Sequence, residues 1–420
     1  MFTSFSTALS ALSAHATAVD VVGNNLSNLN TPGFKTSVVS FHDLVTQSLG
    51  AGLGETQVGF GVGRPVTIRQ FSQGAIQTSP GQLDAAIQGD GFLVVKDNTG
   101  ATLYTRGGNL QVDKDGSLLT STGERLQGWT ETNGIVNTSG PTGDIVVPVG
   151  TVRAPVATRT FSFDMNLNAA APQNDTFQSS IEVFDSLGAA HVATVTFTKT
   201  GTPNQWDYAI EFPLSDVSAA SDITGDLTGT IEFDSDGRLI DPAAVDGSGN
   251  PAPMPQITID NLTSGASQMQ LTWNLYDGTR PRFTQFAQPN AISANAQDGN
   301  AAAQLIRVGL ADGGKVLAQY SNGRQTVVGQ LAMASIRNPE SLIAVGNNNY
   351  QLSARTALPA IGLPATGGRG TIIGGAVEYS TVDIAREFTQ LIVLQRGYQA
   401  NAKVITAVDE LSQETINLKR

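Results

Sequence analysis

Residues able to carry out chemistry are sparse in this chain and do not converge. The three histidines, His15, His42 and His191, stand in unrelated contexts without HExxH or comparable ligand spacing, so each reads as structural or solvent-facing. Carboxylates are plentiful, but Asp90, Asp113, Asp115, Asp236, Asp277, Asp298 and Asp312 precede a glycine or lie close to such a pair, where a short acceptor side chain serves turn geometry. The run GFGVG at 59–63 lacks the GxGxxG spacing and leads into RPVTIRQF, which reads as extended, whereas a dinucleotide site needs a helix N-terminus straight after its glycines. DKDG at 113–116 opens like a calcium loop, but a hairpin turn is the better reading. Cysteine is absent, which removes thiolate nucleophiles, thiolate metal sites and disulfides. No catalytic, cofactor or metal site is expected.

Composition points the same way. Of 420 residues 40% are hydrophobic, enough for two or three domains with their own cores, while only 14% are charged and 45 are glycine, which suits a β-rich body with many turns. The net charge of -12 repels phosphate backbones and anionic headgroups, so nucleic acid is a poor partner. No Lys or Arg precedes Lys35 and no continuous apolar core follows the first Met, so the N-terminus does not read as a cleaved secretory signal. No transmembrane span is expected either.

The elements with most information lie at the two ends. Phe2, Phe5, Leu9, Leu12, Ala16, Val19, Gly23 and Leu26 recur at steps of three and four, the spacing of a helix seam. The opposite face is Ser, Thr, Ala and Asn, lacking the Lys and Glu that would solvate it, and small residues permit close approach by other helices. From 381 to 418 a proline-free segment carries a second stripe, Ile384, Phe388, Leu391, Tyr398, Ala402 and Ile405, continued in a shifted register by Val404, Val408, Leu411 and Leu418. Ser380 or Thr381 serves as its N-cap, Asp383 and Glu387 suit the positive end of the helix dipole, and Lys419 and Arg420 the negative end. Such helices are marginal alone in water, so each seam needs a partner: the other terminus, and then helices of other copies.

Between them the period switches to two. Residues 91–129 alternate apolar and polar, broken by turns at 97–100 and 113–116, a β-meander. A second β-rich block begins near Phe161, flanked by loose stretches around 138–155 and 288–303 that read as two hinge crossings, and 308–352 again reads as strands. The fold class expected is therefore mainly β, with two discontinuous, nested β domains plus an N- and C-terminal α-helical coiled-coil segment.

Two motifs carry a resemblance. NNLSNLNTPGFK at 24–35, with Asn24, Asn25, Asn28, Asn30, Thr31, Gly33, Phe34 and Lys35, resembles the N-terminal signature of the bacterial flagellar rod and hook proteins. QRGYQANAKVITAVDEL at 395–411, with Gln395, Arg396, Tyr398, Gln399 and Asn401, resembles their C-terminal signature. YTRGGNLQVDKDGSLLT, VFDSLGAAHVATVTFTK and YSNGRQTVVGQLAMASIRNPESL between them are similar to the hook members in particular. The resemblance implies a self-assembling subunit of a curved helical tube, the flexible coupling that transmits torque from rod to filament. It also implies export through the flagellar type III apparatus without signal cleavage, an extracellular location, and neighbours in the distal rod, hook cap and hook–filament junction proteins.

The same resemblance implies a division into inner-coil helices (1–35 and 376–420), an extended connector (36–70), a middle β domain (71–150 and 290–375) and an inserted outer β domain (151–289). The self-assembly residues it implies are Phe5, Leu9, Leu12, Val19, Leu26, Phe388, Leu391, Tyr398, Ile405 and Leu411. The connector, intermediate in length between hook and rod members, keeps a distal rod subunit open as an alternative. A secreted adhesin or carbohydrate binder, using Trp206 and Trp273, is the alternative of another class.

Overall fold

The structure is a computed structural model, and it describes residues 2–44, 47–49, 56–132, 135–245 and 249–417. Leu418, Lys419 and Arg420 lie outside the described residues, as does the side chain of Phe2. Two compact units are present, one of 1–149, 307–319 and 325–420 and another of 150–306 with 320–324.

In the first unit, helix α1 (Phe2–Ser27) packs along helix α2 (Ile384–Asn417). The face of α1 that loses its solvent is a column of small residues, Ala8, Ala14, Ala18, Val22 and Asn25. Alanine at that spacing lets two backbones approach closely, and Gly397 of α2 sits so near His15 that a Cβ there would meet the imidazole at 2.7 Å. After α1 the chain runs out and back as an antiparallel ladder, Ser37–Ser40 against Val66–Arg69 and, further out, Gln47–Leu49 against Thr56–Val58. GFGVG lies on the returning arm: Gly61, at φ +97°, brings the backbone against Thr7 and Ser10 of α1, and Val62 N–H donates to Ser10 Oγ at 3.2 Å.

The β body of this unit begins as the meander expected. Phe92–Lys96 pairs with Thr102–Thr105, Leu110–Val112 with Leu118–Thr120, and Arg125–Thr132 closes back onto Phe92–Lys96 and onto Gln325–Leu331. DKDG is the turn between two of these strands, with Gly116 N–H donating to the Asp113 carbonyl at 2.9 Å. Its core holds an aromatic triangle, Phe71, Phe92 and Tyr350, with ring centroids 5.2–5.9 Å apart.

The second unit is a sandwich. One sheet is a meander of five strands, Thr176–Phe184, Ala190–Lys199, Gln205–Glu211, Thr228–Phe233 and Leu239–Asp241. The other is built on Thr160–Asn168, which runs parallel to Met269–Trp273 and Phe283–Phe286 and antiparallel to Ala291–Gln297. Strict alternation along Ala190–Lys199 turns Ala193, Val195 and Phe197 inward. There they meet Phe161, Phe163, Trp206, Trp273 and Phe283 in one core, with Trp273 stacked on Phe161 at 6.0 Å and edge-on to Tyr208 at 5.1 Å. Both tryptophans considered as a glycan platform are fully buried, so neither ring offers a face to a sugar.

Candidate self-assembly site and the joint at its base

The named seam residues point away from the α1–α2 contact or lie at its margin. Phe5 and Leu9 are 41% and 52% exposed, Leu12, Val19 and Leu26 are half-buried. On α2, Leu391 and Ile405 are half-buried, while Phe388, Tyr398 and Leu411 remain 44–56% exposed, and Ile392 and Val393, not singled out from the sequence, are exposed as well. Pairing of the two helices thus consumes the alanine face and leaves large apolar side chains on the outside of both. Those side chains carry no charge to hold water, and each would contribute about 1.5–3 kcal/mol if fully covered.

The N-terminal signature builds a joint under this helix pair. Asn28 Nδ2 donates back to the Asn24 carbonyl at 2.9 Å and Thr31 Oγ1 donates to Asn28 Oδ1 at 3.1 Å, which closes the last turn of α1. Asn25, 1% exposed, reaches two ways: its amide nitrogen donates to the Ser37 carbonyl at 2.9 Å and to Glu387 Oε2 of α2 at 3.2 Å, and its Oδ1 accepts from Ser37 N–H at 3.1 Å. One asparagine therefore fastens α1, the connector and α2 together. Gly33 takes φ +72°, and a Cβ there would lie 2.6 Å from the Arg106 carbonyl oxygen, so both conformation and space demand glycine.

Lys35 is completely buried. Its ammonium donates to Glu378 Oε1 at 2.7 Å and to the Ser72 carbonyl at 2.5 Å. Glu378 also accepts from Gln73 Nε2 at 2.9 Å and Gly74 N–H at 2.7 Å on the same oxygen, and from Arg106 Nη1 at 3.4 Å on the other. Arg106 in turn donates to the carbonyls of Gly91 and Gly89 and lies over the Phe92 ring. Burial, with the nearby Arg106 guanidinium acting in the same direction, holds the Lys35 pKa below the ordinary lysine value, and the Glu378 carboxylate offsets only part of that. Nothing here offers an open position to a substrate; the cluster is a buried fastening.

The C-terminal signature is different in kind. Gln395, Arg396, Tyr398 and Gln399 are exposed on α2, and Asn401 donates to the Gly397 carbonyl within the helix at 2.8 Å. Asn24 and Asn30 are exposed at the end of α1, and Phe34 is buried in the joint.

In the second unit His191 lies between two carboxylates, Nδ1 2.8 Å from Asp216 and Nε2 3.3 Å from Asp185. Ser264 donates to Asp185 rather than to the ring, at 2.6 Å, so no nucleophile–base pair forms. Burial pushes the Asp185 carboxyl upward, but Ser264, His191 and the amides of Ala189 and Leu187 outweigh it and hold the group below the usual carboxylate range. From sequence these four residues carried no shared signal. Among the described residues no group of three or more His, Asp and Glu is placed to hold a metal ion.

Comparisons with known proteins cover the chain from end to end. Residues 5–35 match the flagella basal body rod protein family and 373–418 the flagellar basal body rod FlgEFG protein C-terminal family. Residues 86–166 match the flagellar hook protein FlgE/F/G D1 domain, and 156–300 the flagellar basal body protein FlaE D2 domain. The flagellar hook protein FlgE of Treponema pallidum is 32% identical over the whole of both chains. That of Escherichia coli is 31% identical over 99% of this chain and all of its own. The crystal structure of Helicobacter pylori flagellar hook protein FlgE2 superposes with a TM-score of 0.52 at 13% identity, covering 71% of this chain and 99% of that one, a likeness of fold.

Proposed function

This chain belongs to the flagellar hook protein family and is a structural subunit of the bacterial flagellar hook, and from that premise we propose how its parts divide the work. The terminal helices are the polymerising elements: α1 and α2 pair through the alanine face, and Phe5, Leu9, Phe388, Tyr398 and Leu411 are covered by helices of neighbouring copies. The observation that carries this reading is the exposure of those uncharged apolar side chains on helices already paired with each other. Contacts between copies are heterologous and non-closing, which generates a helical tube.

The β domains, the first unit's strands from 71 onward and the sandwich of 150–306, are the rigid bodies that slide as the tube bends. The buried Lys35–Glu378–Arg106 joint transmits load from the helices into the middle β domain. Export without a cleaved signal, a place between distal rod and hook–filament junction, and growth under a hook cap follow from the family resemblance. No catalytic step is assigned.

Electron microscopy of the purified full-length chain under polymerising conditions tests the reading. Curved tubes are expected; straight tubes would move the chain to the distal rod, and dispersed globules would remove it from the axial structures altogether.

A further inference from the structure

We propose that the free edge of strand Ile343–Gly346, with the uncharged recess at its tip, is a contact surface for a second copy of this chain. The proposal rests on the hook reading and adds to it a surface outside the terminal helices. The strand pairs on one side with Asn349–Gln351, Ile343 opposite Gln351 and Ala344 opposite Tyr350, and among the described residues no strand pairs its other side. All four residues are exposed, Ile343 at 52% and Val345 at 47%. Exposed edges in free-standing proteins are commonly guarded by lysine, proline or inward charge, because an open row of N–H and C=O groups templates pairing with another chain. The run IAVGNNN, 343–349, has none of these; its strand is four residues long and shifts register between Ala344 and Gly346.

At that tip Asn348 Nδ2 donates to the Pro32 carbonyl at 2.8 Å, which ties the hairpin to the signature joint. Beside it opens a recess of ≈ 380 Å³ walled by Asn28, Thr31, Asn109, Thr122, Asn347 and Asn349, with no ionisable side chain in its lining. Asn349 is 3% exposed; its amide nitrogen donates to Glu124 at 2.6 Å, but its Oδ1 accepts nothing.

Charge selects the occupant. Copies of a chain with net charge -12 repel one another, so they meet most readily where neither surface carries charge, and this edge and recess form such a place. The surface is also continuous with the end of α1, through Asn28 and Thr31, and so with the helix whose outward residues are assigned to neighbouring copies.

Two full-length variants test this. Because the chain has no cysteine, Val345→Cys supplies one thiol for a benzophenone label; irradiation of the labelled polymer is expected to give covalent dimers of the chain. Ile343→Lys/Val345→Lys is expected to leave the thermal midpoint of the unpolymerised chain in place while raising the critical concentration for polymerisation about tenfold or more, about 1.4 kcal/mol per contact. Lysine reduces the net repulsion between copies, so bulk electrostatics would change assembly in the opposite direction. Polymer that forms without dimers and tolerates both lysines overturns the proposal and leaves the hook reading standing. Failure of the unsubstituted chain to polymerise at all removes the hook reading, and the proposal with it.

Discussion

At the scale of single residues, the joint around Glu378 has an uneven charge balance that can be measured. Glu378 is a carboxylate bonded to two buried cations, Lys35 and Arg106. Removing an anion that serves two partners leaves more uncompensated charge than removing either cation. Glu378→Gln is therefore expected to cost about 3–5 kcal/mol, and Lys35→Met clearly less, since Arg106 still faces the carboxylate; urea unfolding midpoints of the two variants give the order directly. The pH dependence has a defined sign. With the Lys35 pKa lowered in the folded chain and near its ordinary value of about 10.4 when unfolded, the unfolded state binds more protons between those two values. Stability from this group thus rises with pH through that window, and below it the cost of holding a buried ammonium is constant. Unfolding followed from neutral pH up to the ordinary lysine range should show that slope, and Lys35→Met should flatten it. Sequence placed Lys35 in a signature but could not give it a partner: Glu378 lies 343 residues away in an unremarked strand, and one sequence holds no record of which distant charges meet.

At the scale of elements, what was legible followed from period. The strand Ala190–Lys199 appears because one face is buried and the other is largely wet, which writes period two into the residues, whereas Phe92–Lys96, buried on both faces, shows as a short apolar run ahead of the turn at 97–100. Ala291–Gln297 was hidden for the converse reason: its residues are exposed or half-buried throughout, so the stretch around 288–303 reads as loose although it pairs with Thr160–Asn168. The helices show a third case. Hydropathy drew attention to Phe5, Leu9 and Leu12, while the face that packs inside the chain is alanine, whose burial leaves almost no hydropathic trace. The two faces have separable consequences. Ala18→Leu should overpack the α1–α2 contact, costing about 1–3 kcal/mol and lowering the helical circular dichroism melt of the unpolymerised chain. Phe5→Ala/Leu9→Ala should leave that melt in place but raise the critical concentration about ten- to a hundredfold, because two side chains that each contribute about 1.5–3 kcal/mol on full burial are already about half covered in the single chain; an unchanged critical concentration would remove the outer seam from assembly.

At the scale of the whole molecule, the question is whether the inserted β domain is needed for the polymer or only for its shape. The termini carry the large exposed apolar faces, and the second unit has a closed aromatic core of its own, so assembly is assigned to the first and curvature to the second. The ladder at the crossing shows where to cut. Val152–Arg153 pairs antiparallel with the start of Ala303–Ala311, and Arg153 stands directly opposite Ala303. Residues opposed in such a ladder have Cα atoms about 4.5–5.5 Å apart, a gap that a two-residue Asn-Gly turn closes without straining either strand. Replacing 154–302 by that turn should therefore leave a chain that still polymerises, because every proposed seam residue is retained, and electron micrographs should show tubes of altered curvature. Loss of polymer, in a variant whose first unit still melts cooperatively, would mean that contacts made by the inserted domain are part of assembly itself and that helices and β domains share the work.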